Sequence, residues 1–316
     1  MVITSAEAFA PATVANLGVG FDILGMAVDG PGDRVEAFWH DTPGVHILDI
    51  RGDGGRLPRD PAQNVASVAA QALLQHLGVT RGVGLVVHKG LPSSSGLGSS
   101  AASAVAAVVA VHALLGEPLQ RAELLAACLE GEALVSGYHA DNVAPALFGG
   151  ITLCNGVIAE RIHRLPVPDN LFVALVTPDV EVPTASARAV LPSMVALKQM
   201  VSQTGTLAEL IYAIYAGDIA LMARAMEADL IIEPARAHLM PRLDAVRKAS
   251  HQAGALGMVI SGAGPTLCAV CNSVRSAEQV AQVMQQTYSD AGIGSAIRAV
   301  PVLAEGATVL HRAMES

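Results

Sequence analysis

The stretch Lys89 to Ala101, KGLPSSSGLGSSA, holds the chain's densest set of groups able to bind an anion. Gly96 and Gly98 give the loop conformations that side chains deny, while Ser93, Ser94, Ser95, Ser99 and Ser100 supply hydroxyls and leave the backbone N–H groups uncovered. The following run AASAVAAVVAVHALL is almost pure helix former. The loop therefore feeds a helix N-terminus, where unpaired N–H groups and the positive end of the macrodipole meet whatever anion sits there. A phosphate group is the natural occupant. The pattern GxxxxGK[ST] is absent and no lysine follows the second glycine, so this is not the common phosphate loop. On this stretch alone, a Ser/Gly-rich connector with a capped helix remains the plain alternative.

Three further stretches carry polar groups in apolar company. PATVANLGVGFDILGMAV sets Asn16 and Asp22 among apolar residues, where a polar group has a hydrogen bond to make. Structurally, Asn16 could bridge a turn and Asp22 could cap a helix beginning at Ile23. SGYHADNVAPALFGG gathers Ser136, His139, Asp141 and Asn142, which reads as one loop with the hydrogen-bonding density of a binding site. SGAGPT, Ser261 to Thr266, is a second glycine-rich turn after a strand. Cys268 and Cys271 form a CxxC inside TLCAVCN, a strand in which positions three apart face opposite ways, so buried thiols are expected in place of a metal site.

The elements that must position these groups follow from periodicity and breakers. Val2 to Ala10 reads as a strand ended by Pro11, and Arg34–His40 and Val45–Ile50 as two more. Asn64 to Leu77 has helical spacing with Gly78 as its stop, and Gly84–His88 is the strand that delivers the chain into the serine-rich loop. Leu119 to Leu134 is a helix bearing Glu130 and Glu132 near its end. Strands follow at 150–154, 159–164 and 172–177. The second half alternates helices over 183–200, a pair over 206–230, and helices over 236–253 and 276–289 with strands at 257–260 and 296–302.

With 316 residues, two domains are expected. Hydrophobic residues are 52% and charged residues 15%, a composition for large cores and not for disorder. The net charge of -9 and the lack of any basic run exclude a nucleic-acid footprint, so an anionic ligand has to be held by loops and a few placed arginines. The most apolar run, Ala101 to Leu115, is shorter than the roughly twenty residues a membrane span needs. No membrane partner is expected. The opening residues lack the basic start and cleavage pattern of a signal peptide, and the expected location is cytoplasmic.

On PATVANLGVGFDILG, LPSSSGLGSSAA and SGAGPT, in that order and spacing, the chain resembles the GHMP small-molecule kinases over essentially its whole length. Within that group HADNVAPALFGG, EVPTASARAVLP and DLIIEPARAHLMP are similar to the homoserine kinase branch of threonine biosynthesis. The resemblance implies an α+β fold in two domains. The first, over 1–160, would be a mixed-sheet ATP-binding domain of the ribosomal S5 domain 2 type. The second, over 161–316, would be a C-terminal ferredoxin-like domain. It further implies ATP and Mg2+ as cofactors, L-homoserine as acceptor, and a homodimer as the usual assembly, with apolar edge strands as the place to look. Another small alcohol as acceptor, or a silent nucleotide-binding relative, is the alternative.

The implied site falls on named positions. Pro92, Ser93, Ser94, Ser95, Gly96, Leu97, Gly98, Ser99, Ser100 and Ala101 would wrap the ATP phosphates, with Ser99 and Glu132 on magnesium and Glu130 as a substitute for the latter. Asn64 would contact adenine, and Gly262 and Gly264 would close the site from the second domain. Asn16, Asp22, His139, Thr184, Arg188 and Arg236 would bind the acceptor, with Asp22 taking its ammonium and an arginine fork its carboxylate. Arg236, just after Pro234 at an expected helix start, would stand where the macrodipole disfavours a cation, and so would have an anion to meet. Asp141 and Asn142, with Arg188, are the implied catalytic residues and would orient the hydroxyl. Val19 replaces the proline usual in the first signature, at a cost in loop rigidity.

Overall fold

The structure, a computed structural model, describes residues 2–315. Along the chain the elements are β1 (Val2–Ala15), β2 (Leu24–His40), β3 (Val45–Arg51), α1 (Val65–His76), β4 (Gly82–His88), α2 (Ser99–Leu114), α3 (Leu125–Ala133), α4 (Ala140–Phe148), β5 (Ile151–Cys154) and β6 (Ile162–Leu165). Then come β7 (Phe172–Pro178), α5 (Thr184–Ala189), α6 (Leu197–Ala216), α7 (Ile219–Glu227), α8 (Ile232–Arg236), α9 (Leu243–Gln252), β8 (Gly257–Ile260), β9 (Leu267–Cys271), α10 (Val274–Ser289), β10 (Ser295–Pro301) and β11 (Thr308–Glu315).

They form two sheets, each with its helices, in the α+β arrangement expected. The first runs β11-β1-β2-β4-β3, with β5 paired to β2 and β6 to β5; it is mixed because β3 and β4 are parallel. The second is the antiparallel sheet β10-β7-β9-β8. Its chain order, strand, helices, two strands, helix, strand, is that of a ferredoxin-like unit. The division expected after residue 160 does not follow the sheets. β6 and β11 both belong to the first sheet, β11 lying antiparallel to β1, so the second sheet is laid down within the chain of the first. The sequence from 308 to 315 alternates too weakly to have been read as a strand.

Helix α2 is buried over every residue from Ala101 to Leu114, as a helix apolar all round must be. Its alanines and valines let it lie against β1, β2 and α1 at once, which fixes the loop that opens it. No helix among the described residues is long and apolar enough to cross a membrane. Cys268 packs into the core shared with the first domain and Cys271 into the other face's core, so the two thiols diverge.

Several local readings are corrected. β1 runs through Pro11, where the register with β2 slips between Pro11 and Ala12, the kind of bulge that tolerates proline. No helix begins at Ile23: Asp22 has φ +61 and the chain turns directly into β2. The polar stretch after Ser136 is a loop only as far as His139, because Asp141 and Asn142 belong to the first turn of α4. The helix expected over 236–253 breaks at Met240 to Arg242, the last with φ +62, and Arg236 ends α8 instead of starting a helix. The macrodipole argument for Arg236 therefore falls. Val19 is buried in the core, so the first signature loop is anchored by packing where proline would have stiffened it.

Candidate active site

A cavity of 310 Å³ lies where the two domains meet, lined by the serine-rich loop, the Asn16–Asp22 loop, the ends of α3 and α4, α5, α8 and the second glycine-rich turn. The serine-rich loop is shaped by positive φ at Ser94, Gly96 and Gly98. No backbone amide from Ser93 to Gly98 donates a hydrogen bond among the described residues. Its carbonyls are occupied from behind: Thr266 Oγ1 donates to Ser95 O at 2.6 Å and Ser261 Oγ to Gly96 O at 2.6 Å. Free donors ahead of the N-terminus of a buried helix make an anion cradle. Ser93, Ser94, Ser95, Gly96, Gly98, Ser99 and Ser100 line the cavity, whereas Pro92, Leu97 and Ala101 do not; Leu97 and Ala101 are core.

Gly98 is the tightest point. It caps α2 at φ +66, and a Cβ there would lie 2.0 Å from Thr13 Oγ1 and 2.8 Å from Asn142 Oδ1. Thr13 Oγ1 itself donates to Asn142 Oδ1 at 2.7 Å. Gly98→Ala therefore breaks this bond and strains the backbone. It is expected to lose roughly 2–4 kcal/mol of stability, read by urea unfolding, together with most turnover.

Lys89 and Asp33, neither assigned from the sequence, sit beneath the loop as a buried ion pair. Lys89 Nζ also donates to Ser99 O at 3.0 Å, Ser99 Oγ at 2.8 Å and Ser103 Oγ at 2.8 Å, while Asp33 Oδ1 accepts from the amides of Gly90 and Leu91. Ser99 Oγ donates in turn to Leu91 O at 3.2 Å. Its hydroxyl, expected on magnesium, thus has two protein partners, while the residue itself lines the cavity. Ser100, the next residue, lines the cavity and draws the Glu132 carboxyl pKa down.

Glu132 is 3% exposed. Ser136 Oγ donates to its Oε1 at 2.5 Å, and its Oε2 has no partner. Burial pushes its carboxyl pKa up, against the pull of Ser136, Ser100 and Arg188. An unpartnered carboxylate oxygen in a cavity beside a phosphate cradle fits a magnesium ligand. No group of three acidic, His or Cys residues among those described could hold a metal alone, which fits an ion completed by phosphate oxygens. Glu130, the substitute, does not line this cavity and takes a bond from the Tyr138 hydroxyl. Asn64, expected at adenine, caps α1 through Ala66 N and donates to Pro58 O; Val65 and Leu57 line the cavity instead.

On the opposite wall, Arg188 Nη2 and Nη1 donate to Asp22 Oδ1 and Oδ2 at 2.8 and 3.1 Å. His139 Nδ1 lies 3.5 Å from Asp22 Oδ2, and burial pushes its pKa down while Asp22 raises it. Arg236 is buried, donating from Nε to Ala187 O and from Nη1 to Gly262 O, and burial lowers its pKa. Both guanidiniums stand over the ring of Phe21, at 5.6 and 5.1 Å, a contact that the sequence reading missed. Thr184, Gly262 and Gly264 line the cavity as expected. Asn16 lines it too, but its amide joins the domains: Nδ2 donates to Gly262 O and Oδ1 accepts from Asp22 N. Asp141 is buried at the start of α4; burial pushes its carboxyl up to about 7, with Asp22 and Glu132 adding to the effect.

Comparison with known proteins agrees with this geometry. Residues 64–150 match the GHMP kinases N terminal domain and residues 210–290 the GHMP kinases C terminal domain. The chain is 40% identical to a homoserine kinase of Chlorobium phaeobacteroides over 96% of this chain and 98% of that protein. It is 43% identical to a homoserine kinase of Arabidopsis thaliana over 92% of this chain and 80% of that one. The chain belongs to the GHMP kinases, in their homoserine kinase branch. The crystal structure of homoserine kinase from Cytophaga hutchinsonii superposes with a TM-score of 0.93 at 43% identity, covering 97% of each chain. ATP use follows from the family.

Proposed function

We infer that the chain catalyses ATP-dependent phosphorylation of the side-chain hydroxyl of L-homoserine, giving O-phospho-L-homoserine and ADP in threonine biosynthesis. The observation that carries this reading is a single cavity with a cradle of free amides on one wall and, on the other, the Asp22 carboxylate with the Arg188 and Arg236 guanidiniums. Homoserine brings an ammonium, a carboxylate and a hydroxyl, and the cavity offers a partner for each. Asp22 takes the ammonium. Arg188 and Arg236, held over Phe21, take the carboxylate. Asn142, whose Oδ1 is already engaged by Thr13, keeps its amide nitrogen as a donor to the hydroxyl.

Glu132 with Ser100 would hold magnesium, which when bound neutralises charge on the transferring phosphate. The chain's own part is positioning: the cradle fixes the phosphate chain, and the arginines and Asp22 aim the hydroxyl along the line of transfer. The hydroxyl proton passes to the phosphate, and Asp141 shapes the local charge without acting as an obligatory base. Asp141→Asn is therefore expected to lose less turnover than the roughly hundredfold or more that deleting a general base costs. The same change has a pH signature. Asp141 holds its proton more tightly folded than unfolded, so between about 4 and about 7 the folded state carries the extra proton and stability falls as pH rises. Urea unfolding across that range should slope downward in the parent and flatten in Asp141→Asn.

The deciding assay is ADP release with Mg-ATP and a panel of L-homoserine, L-serine, L-threonine, mevalonate and galactose. Turnover confined to homoserine is the expected result. Turnover only with an uncharged alcohol would overturn the acceptor, and none with any would overturn the reaction.

A further inference from the structure

Asp22 and Arg188 come from different domains, one from the loop before β2 and the other from α5, and meet inside the cavity as a two-bond fork. Their side chains are only 25% and 31% exposed. Arg188 Nε has no partner. Arg236, the neighbouring cation, makes its bonds to two carbonyl oxygens instead of a carboxylate. The acid suited to an ammonium and one of the two cations suited to a carboxylate thus satisfy each other.

We propose that the Asp22–Arg188 pair is a latch that only an acceptor bearing both an α-ammonium and an α-carboxylate opens without stranding a charge, and that this sets the preference for amino-acid alcohols. The proposal rests on the reading of the acceptor as an amino acid. A zwitterion exchanges one ion pair for two, its carboxylate going to Arg188 and its ammonium to Asp22. A hydroxy acid lacking the ammonium strands Asp22, and an amino alcohol lacking the carboxylate strands Arg188. A charge left unpaired in a part-buried site costs more than a single new contact returns. An uncharged alcohol has nothing to offer either partner. Discrimination then comes from the penalty against the wrong ligand as much as from contacts to the right one.

A latch and a pair of passive subsites differ in one measurable way. Passive subsites predict that removing Asp22 leaves unchanged the affinity for a ligand without an ammonium; a latch predicts that it rises, because Arg188 is released. The test is calorimetric titration of L-homoserine, γ-hydroxybutanoate and 3-aminopropanol into the parent, Asp22→Asn and Arg188→Gln. Asparagine suits the first site because Asp22 lies at φ +61, a conformation it tolerates. Asp22→Asn is expected to bind γ-hydroxybutanoate about tenfold tighter than the parent, Arg188→Gln to bind 3-aminopropanol tighter by a similar factor, and both to bind homoserine more weakly. Thermal unfolding of each variant reports that it is folded. Unchanged or weaker binding of the half-ligands by folded variants overturns the latch. Homoserine turnover by the parent separates the two layers: turnover without the gain removes the latch alone, and turnover only of uncharged alcohols removes the acceptor and the latch together.

Discussion

Glu132→Gln is expected to lower turnover by roughly a hundred- to a thousandfold while raising the thermal midpoint of the protein free of nucleotide and magnesium. Both effects come from the same atoms. The carboxylate is 3% exposed, has one oxygen without a partner and has its pKa raised by burial, so its charge is a burden on the folded state until a cation arrives. Glutamine keeps an acceptor for Ser136 and removes that burden, but it supplies no negative charge to a metal. The check is kcat against magnesium concentration alongside thermal unfolding with and without Mg-ATP, the parent gaining more from Mg-ATP than the variant. Unchanged kcat would remove Glu132 from the metal site.

Lys89→Met is expected to be the most damaging single change to stability, costing about 3–5 kcal/mol by urea unfolding, because it leaves Asp33 as a fully buried charge. Turnover falls as well, since Lys89 ties Ser99 and Ser103 of α2 to the strand that precedes the loop. Adding Asp33→Asn to Lys89→Met should recover part of the loss, a non-additivity that an independent pair of sites does not give. Simple addition of the two single losses would show that the pair is not coupled.

The sequence was most legible where local chemistry and tertiary structure agree. The loop Ser93–Ser100, the buried helix after it, the α1 start at Asn64 and the turn at Ser261 are all set by glycine, serine and apolar runs that mean one thing in any context. The far wall was legible through the family resemblance, which named Asp22, Arg188 and Arg236 but not the pairing of Asp22 with Arg188. Three kinds of signal were lost. Asp33 and Lys89 lie more than fifty residues apart, and a buried pair has no local pattern. Asn64 and Ser99 carry the right residue types, yet nearer partners claim their side chains. β11 is half-exposed on both faces, so periodicity could not mark it.

The return of β11 to the first sheet means that the second domain is joined to the first by two chain crossings, at 166–171 and at 302–307. The latter is pinned along its length, Leu303 N to Ala27 O, Leu303 O to Gly150 N and Ala307 N to Ala146 O. With both ends of the second domain anchored, and with Thr266, Ser261 and Gly262 bonded to the phosphate loop and to the end of β1, the wall bearing Arg188 and Arg236 is held at a fixed distance and angle from the phosphate loop.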